Sequence, residues 1–532
     1  MTTSTPTPTP TTMTEYESEG EWSPWGDGNE EELEQPLINP VQQQQLPEDR
    51  FPIVHMDDNR IVTPLVGGRA SRTTQFIAAF SATMGALAMG AVLGFSSPAG
   101  PMLMNDPSMN FTNTQNTWFS SSLNLGALVG GPVGGVCLNT LGRRGTMLAS
   151  ALPFLGGWIL IVLGKNFGVL MFGRIVTGLC AGITSLTVPT FIGEYSSADV
   201  RGTLGSGFQL MVTIGVLYAY SMGAAVTSFR TLAALCIIPV VIYFILMLFV
   251  KESPTFLLAK GKQEQAAKAL QYFRGKSYNI QPELDMMRSA IQESNNTKTS
   301  IRDFRKPYIF KPFLISLTLM FFQQFSGVNA VLFNLNSIFL DSGSSLSDNW
   351  CSIIVGLVQV AATFLATILM DRAGRKILLI TSSSIMALSL VALGEFFYWE
   401  KADESWAKNT LGWLPLASLV IFIASFSIGY GPIPWLMMGE LFSSDVKEMA
   451  ASAATMFNWT LSFVVTSIFV MLQNGLGNDG SYWLFASICI VNLIFCVTFV
   501  PETKGKTLNE ITALFGGQTH TSDTDTRNSS DC

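Results

Sequence analysis

The residues of this chain best suited to specific chemistry are amides set inside otherwise apolar stretches. Gln209 lies in one such stretch. Gln323, Gln324 and Asn329 share a second, with Ser326 and Gly327 between them. Gln359 lies in a third, and Asn458 with Trp459 in a fourth. All are neutral. An amide carries both donors and an acceptor, so it bonds hydroxyl groups in either direction. A neutral polyhydroxyl ligand therefore suits this set better than an ion or an acid. The competing use of such amides is hydrogen bonding between helices. For a single amide the two uses stand level; the cluster of Gln323 and Asn329 around a helix-opening glycine favours a ligand. A further stretch, Gly429-Tyr430-Gly431-Pro432-Ile433-Pro434-Trp435, must break or kink a helix. At membrane depth this is tolerated only beside a cavity or packed protein. Trp435 could then stack on the apolar face of a ring or gate a path, the alternative being a purely structural kink.

Other chemistries are excluded by what is missing. The only histidines are His55 and His520, both in polar segments near the ends, so a histidine metal site or triad is not expected. No phosphate-binding glycine loop, paired carboxylates or nucleophile elbow occurs. The one acid well inside an apolar stretch is Glu395, near its outer end. Cys137, Cys180, Cys236, Cys489 and Cys496 fall in apolar segments and read as buried thiols. The expectation is a non-enzyme without cofactor, metal, nucleic acid or obligate protein partner, working within a lipid bilayer.

The elements that must hold these residues are membrane helices. Of 532 residues 48% are hydrophobic and 13% charged, about half the charged share of an ordinary soluble domain. A large soluble helical protein is the weak alternative. Apolar spans long enough to cross a bilayer are expected at 75–98, 118–138, 146–163, 168–191, 205–225, 231–250, 312–336, 351–370, 377–397, 413–433, 449–472 and 482–500. The fold class is thus all-α and polytopic, with twelve transmembrane helices. Residues 1–72 form an expected disordered tail, rich in Thr, Pro, Glu and Gln. Glu34 to Ile38 weakly resembles an acidic dileucine sorting signal. A six-helix bundle over 73–250, a linker with short helices over 251–311, a second bundle over 312–500 and a polar tail over 501–532 complete the order. Basic residues concentrate on one side: Arg143, Arg144, Arg201, Arg372, Arg375, Lys376 and the linker, against Lys165, Arg230, Lys401 and Lys408 on the other. The positive-inside rule places both termini and the linker in the cytosol. Asn110, in the first outer loop, is then a glycosylation acceptor; the sequons at Asn295 and Asn528 fall on the wrong side.

The two bundles echo each other. Asn139 to Arg144 ends the second span and Asp371 to Lys376 the eighth. Glu194 precedes Arg201 by the same interval as Glu440 precedes Lys447. Lys251-Glu252-Ser253 closes the sixth span, and Pro501-Glu502-Thr503 the twelfth. Three matches in order argue for duplication with parallel topology. Arg143, Arg144, Glu194 and Arg201, with Arg375, Lys376, Glu440 and Lys447, are expected to form ion pairs that latch the halves on the cytosolic side. Their simpler role is to anchor topology, and the two are compatible.

These motifs resemble the sugar porter family of the major facilitator superfamily over about residues 73–512. The resemblance is carried by Gly142-Arg143-Arg144, Arg174 with Gly178, Pro189 to Glu194 with Arg201-Gly202, and Lys251 to Pro254. It continues through Gln323 to Asn329, Asp371 to Lys376, Gly431 to Trp435 with Glu440, Asn458-Trp459 and Pro501 to Lys506. It implies the two-bundle fold and sugar contacts at Gln209, Gln323, Gln324, Asn329, Gln359, Trp435 and Asn458. Gln359 replaces the family's usual asparagine, and Phe333 and Asn334 its usual tyrosines. Proton-coupled members typically carry an acid in the first span, where Gly90 to Pro98 has none, which implies a uniporter. The Gly94-Phe-Ser-Ser-Pro98 string and Gln359 are similar to facilitated trehalose transporters of arthropods and related glucose facilitators. Trehalose or a hexose is the expected cargo and the plasma membrane the expected location, with an intracellular vesicle or lysosomal membrane as the alternative. A proton-coupled symporter and a non-transporting sugar sensor are the rival readings.

Overall fold

The computed structural model describes residues 70–197, 199–296, 304–342, 347–442, 446–504, 506 and 508–516. The Glu34–Ile38 signal, Asn528 and the side chains of Asn295 and Lys447 lie outside the described residues. Among the described residues there are helices and no strands: α1 (Arg72–Asn105), α2 (Asn113–Leu163), α3 (Phe167–Tyr195), α4 (Arg201–Ala225), α5 (Phe229–Phe249), α6 (Pro254–Ala259), α7 (Gln263–Arg274), α8 (Gln281–Asn296), α9 (Pro307–Phe325), α10 (Val328–Phe333), α11 (Leu335–Asp341), α12 (Asp348–Ala373), α13 (Arg375–Ala402), α14 (Glu404–Leu411), α15 (Leu414–Ile428), α16 (Ile433–Leu441), α17 (Lys447–Thr498) and α18 (Leu508–Leu514).

Ten stretches are long and apolar enough to cross a membrane, with α9–α10 and α15–α16 each forming one. Two of the ten, α2 and α17, fold back at Gly142 and Gly477, where φ is +84° and +80°. Counting each as two crossings gives twelve. With no water in the hydrocarbon, the helix is the form that satisfies every backbone group within one segment. The outward faces are apolar, as at Phe249, Leu388 and Phe364, all exposed. The second and eighth expected spans turn into the next helix without a separate loop. A residue with a Cβ would be strained at the positive φ of Gly142 and Gly374 (+89°). At either position that Cβ would also sit within 3 Å of a carboxylate, Glu252 or Glu502.

Small residues set the packing of the first half. A Cβ on Gly126 would lie 2.1 Å from the Ile175 carbonyl, and one on Gly178 2.1 Å from that of Leu123, so α2 and α3 touch backbone to backbone. The halves meet where α2 packs on α17, α4 on α12, and α1 on α10 and α11. Between the halves, α6, α7 and α8 share a small core of Leu257, Leu258, Ala266, Ala269, Leu270 and Leu284. Helix α7 is moored to the first half: Phe273 stacks on Tyr195 with centroids 4.5 Å apart, and Arg274 Nη1 donates to the Tyr195 carbonyl at 2.6 Å.

Candidate functional site

The amides of the seventh crossing form one continuous chain. Gln323 Nε2 donates to the carbonyls of Tyr430 (2.9 Å) and Gly431 (3.0 Å), and its Oε1 accepts from Asn458 Nδ2 (2.8 Å). Asn458 Oδ1 accepts from Gln324 Nε2 at 2.9 Å, and Gln324 Oε1 accepts from Asn329 Nδ2 at 2.7 Å. Asn329 Nδ2 also donates to Ser462 Oγ at 2.9 Å. Gln323, Gln324 and Asn458 are buried, while Asn329 is half-buried. Donor arithmetic then separates their capacities. Gln323 has both hydrogens and its oxygen engaged. What stays open is Asn329 Oδ1 and one hydrogen of Gln324 Nε2.

Helix geometry explains the chain. Gly327, at φ +83°, ends α9 and starts α10, so Asn329 is displaced from the turn that carries Gln323 and Gln324. On the facing side, Pro432 and Pro434 interrupt the tenth crossing. The Gly431 N–H reaches back to the Phe426 carbonyl at 2.7 Å, and the Tyr430 carbonyl is left for Gln323. The Tyr430 hydroxyl is anchored from behind by Asn492, which donates to Ser383 Oγ at 2.9 Å. Trp435 is half-buried in α16, just beyond the break. Gln209 in α4 is half-buried and makes no hydrogen bond within the described residues. Gln359 in α12 is buried with its Oε1 unpartnered. Trp459, from the second half, sits in a cluster with Ala86, Met89, Ala127, Ala181 and Val212 of the first. Its indole Nε1 is buried without a partner.

Hydrogen bonds join the halves away from the basic loops. Ser97 Oγ donates to Asn336 Oδ1 at 2.8 Å and accepts from the Asn336 N–H at 3.0 Å. Asn336 Oδ1 also accepts from Ser352 Oγ (2.5 Å), and its Nδ2 donates to Asn349 Oδ1 at 2.8 Å. Asn124 Nδ2 donates to Thr466 Oγ1 at 3.0 Å, and the Tyr220 hydroxyl to the Leu332 carbonyl at 3.0 Å. Sequence reasoning missed Ser97, Asn336 and Asn124. Their signal, polar residues near the non-basic ends of spans, is the same one that flags any interfacial residue.

On the basic face the ion pairs form, but not across the halves as expected. Arg143 pairs with Glu194 at 2.5 Å, and the other Glu194 oxygen accepts from the Ser253 hydroxyl. Arg375 pairs with Glu440 at 2.9 Å, and the other Glu440 oxygen accepts from Thr503 Oγ1 at 2.5 Å. Each pair ties two helical ends of one half. The reason is reach: the arginine follows a tight turn directly beside the helix that carries its own half's glutamate. Glu194 lies within α3 and Glu440 within α16, each near the C-terminal end of its helix. Arg144 turns to the carbonyls of Met247 and Leu248, Arg201 to that of Ser196 and Lys376 to that of Val497. None of these three forms an ion pair with the two glutamates.

The acids of the third repeat match, Glu252 and Glu502, have a role the sequence did not show. Glu252 accepts from the N–H groups of Arg143 (2.9 Å), Arg144 (3.1 Å) and Gly145 (3.4 Å). Glu502 accepts from those of Arg375 and Lys376, both at 3.0 Å. Each carboxylate caps the helical start that follows the positive-φ glycine, satisfying N–H groups with no intrahelical partner. Burial alone would raise the Glu502 carboxyl. The N–H groups of Lys504, Arg375, Lys376 and Thr503 outweigh it and hold the carboxyl below its usual value.

One charge stands inside the first half. Arg174 is fully buried. It donates to the Val92 carbonyl at 3.0 Å and to Ser96 Oγ at 2.5 Å. Its guanidinium lies over Phe95 and Phe119, 5.5 and 5.1 Å from their centroids. Its partners are neutral. Asn110, with φ +44°, is exposed at the α1–α2 connection.

This architecture has known counterparts. The Facilitated trehalose transporter Tret1 of Polypedilum vanderplanki is 42% identical over 442 residues, 82% of this chain and 87% of that protein. Its namesake in Drosophila yakuba is 44% identical over 443 residues, and the chain spans about half of that longer protein (51%). The proton:xylose symporter XylE bound to 6-bromo-6-deoxy-D-glucose superposes with a TM-score of 0.70 at 26% identity, covering 84% of this chain and 99% of XylE. The Sugar (and other) transporter family model matches residues 73–515, and with that match and these relatives the chain belongs to that family of multi-pass membrane transporters.

Proposed function

We propose that this protein is a facilitative uniporter that moves trehalose, glucose or both down their gradient by alternating access. The observation that carries this reading is the neutral amide chain of Gln324, Asn329 and Asn458, with Asn329 Oδ1 and a Gln324 hydrogen open for a hydroxyl. Gln209, Gln359 and Trp435 supply further unengaged surface for the ligand. Trehalose enters the reading through the Tret1 relatives.

Uniport is supported by the surroundings of Arg174. Helix α1 contains no Asp or Glu, and the guanidinium rests on a carbonyl and a serine hydroxyl. No carboxylate is there to take up and release a proton beside it. The basic face is read as cytosolic, in the plasma membrane, with bundles over 73–250 and 312–500 rocking about the site. Bonds at Ser97–Asn336, Asn124–Thr466 and Tyr220–Leu332 then mark an arrangement closed to the outside. The capped Arg143–Glu194 and Arg375–Glu440 corners keep each half rigid as it moves.

The test is uptake of labelled trehalose and glucose into proteoliposomes holding the purified protein, with mutual competition. Equilibration without accumulation, unaffected by a protonophore, is expected. Accumulation abolished by the protonophore establishes a symporter instead. Correct insertion with ligand binding but no flux establishes a sensor.

A further inference from the structure

The last turn of α5, the start of the helix after Gly142 and the underside of α7 enclose a cavity of about 360 Å³. Its polar lining is Arg144, Lys251, Glu252, Gln265 and Lys268; its apolar lining is Leu248, Phe249, Val250, Leu257 and Ala269. The cavity sits at a sharp boundary. Helix α5 is uncharged from Thr231 to Phe249, and Lys251 follows two residues later, so the rim lies at headgroup depth. Phe249 and Leu248 are exposed on the lipid side of that boundary.

The charge in this cavity is largely available. Glu252 keeps its negative charge, but its carboxylate is turned to the N–H groups of Arg143, Arg144, Gly145 and Ser253 and forms no ion pair with the three cations among the described residues, so the lining stays net positive. Arg144 uses Nε and Nη2 on carbonyls, which leaves Nη1 donors of its five N–H groups. Lys251 is exposed and makes no ion pair within the described residues. Lys268 pairs only with Glu264, and both are exposed, an interaction of little strength. The matching corner of the second half differs. There Pro501 replaces Lys251, and Lys376 and Lys504 donate to the carbonyls of Val497 and Arg372.

We propose that this cavity binds one anionic phospholipid of the cytosolic leaflet, its phosphate and acidic headgroup on Arg144, Lys251 and Lys268 and its chains along Leu248 and Phe249. Half of the lining is apolar, so an amphiphile fits it and a free phosphate would leave most of it uncovered. A bound lipid would cross-link α7 to α5 and stiffen the mooring of the linker on the first half. The inference rests on the basic face being cytosolic and not on which sugar is carried.

The experiment uses the full chain, purified in neutral detergent. Short-chain phosphatidylserine, short-chain phosphatidylcholine and inorganic phosphate are titrated while thermal unfolding is followed. Phosphatidylserine should raise Tm saturably, and the other two should not. In the K251Q/K268Q double variant the midpoint should shift to higher lipid by about fivefold per cation removed, while K165Q, on the opposite face, matches the wild type. Sugar flux is measured on the same purified proteins after reconstitution into liposomes, so loss of transport with lipid binding intact counts against the uniporter and not against this site. Equal titrations of wild type and double variant overturn the proposal. An equal response to inorganic phosphate also overturns it, in favour of a free-anion site.

Discussion

Ser97→Ala is the cleanest perturbation of the closed side. Ser97 belongs to the first half and Asn336 to the second, and they exchange two hydrogen bonds, at 2.8 and 3.0 Å. Both residues are buried. The substitution removes a donor to Asn336 Oδ1, which keeps Ser352 Oγ and so stays satisfied. It also removes the acceptor of the Asn336 N–H, which is left orphaned. A made hydrogen bond contributes about 1 kcal/mol net, and a buried unmet donor costs about 1–3 kcal/mol. In the outward-open arrangement that the proposed mechanism requires, the same groups would meet water and the cost would disappear. The closed arrangement should therefore lose about 2 kcal/mol, a shift in the open-to-closed ratio of about thirtyfold. The assay is labelling of Leu332→Cys, at the seam, by a membrane-impermeant maleimide added outside. Labelling in the Ser97→Ala background should accelerate by at least about tenfold with protein level unchanged. Unchanged labelling would refute the assignment of this contact to a gate, whatever happened to uptake.

Three other outcomes follow from the same geometry. Asn329→Ala should raise the KM for sugar about tenfold or more, since it removes the open Oδ1, whereas Gln323→Leu should mainly lower maximal rate, because it frees the Tyr430 and Gly431 carbonyls of the broken helix; equal KM effects in concentration-dependent uptake would contradict this split. Glu194→Gln should destabilise the first half by about 3 kcal/mol, because it leaves the half-buried Arg143 unpaired; a thermal midpoint within a degree or so of wild type would remove the pair from the account. The Glu502 carboxyl is held below its ordinary value of 4.5, so its stabilisation is fully present above that pH and is lost only as pH falls through the lower folded value; the gap in Tm between wild type and Glu502→Gln should stay constant from about neutral pH to about pH 5 and close only in stronger acid.

Why some of this was legible in the sequence and some was not has a physical explanation. Span positions follow from uninterrupted apolar runs, which only a bilayer-crossing helix explains, so α5 and α13 fall close to their expected ranges. The repeat was visible because a tight turn needs glycine at positive φ, and Gly142 and Gly374 announce it twice. The partner of each arginine was not visible. Reading Glu194 and Glu440 as bridges between halves treated charge and proximity to the same membrane face as sufficient. In the fold, a single turn sets Arg143 beside α3 and Arg375 beside α16, so each reaches its own half first. The role of the repeat acids at 252 and 502 was hidden for a related reason. Backbone N–H groups are their partners, and no residue type in the sequence marks those. The amide chain shows the same limit at the site itself. Gln323 and Gln324 are adjacent and identical, yet one points its hydrogens at the broken tenth crossing and the other keeps one free. Adjacent positions on a helix are turned about a hundred degrees apart, so they face different neighbours. Which of two equal amides keeps a hydrogen open is decided by where a proline-broken helix leaves its carbonyls, and only the packed structure carries that information.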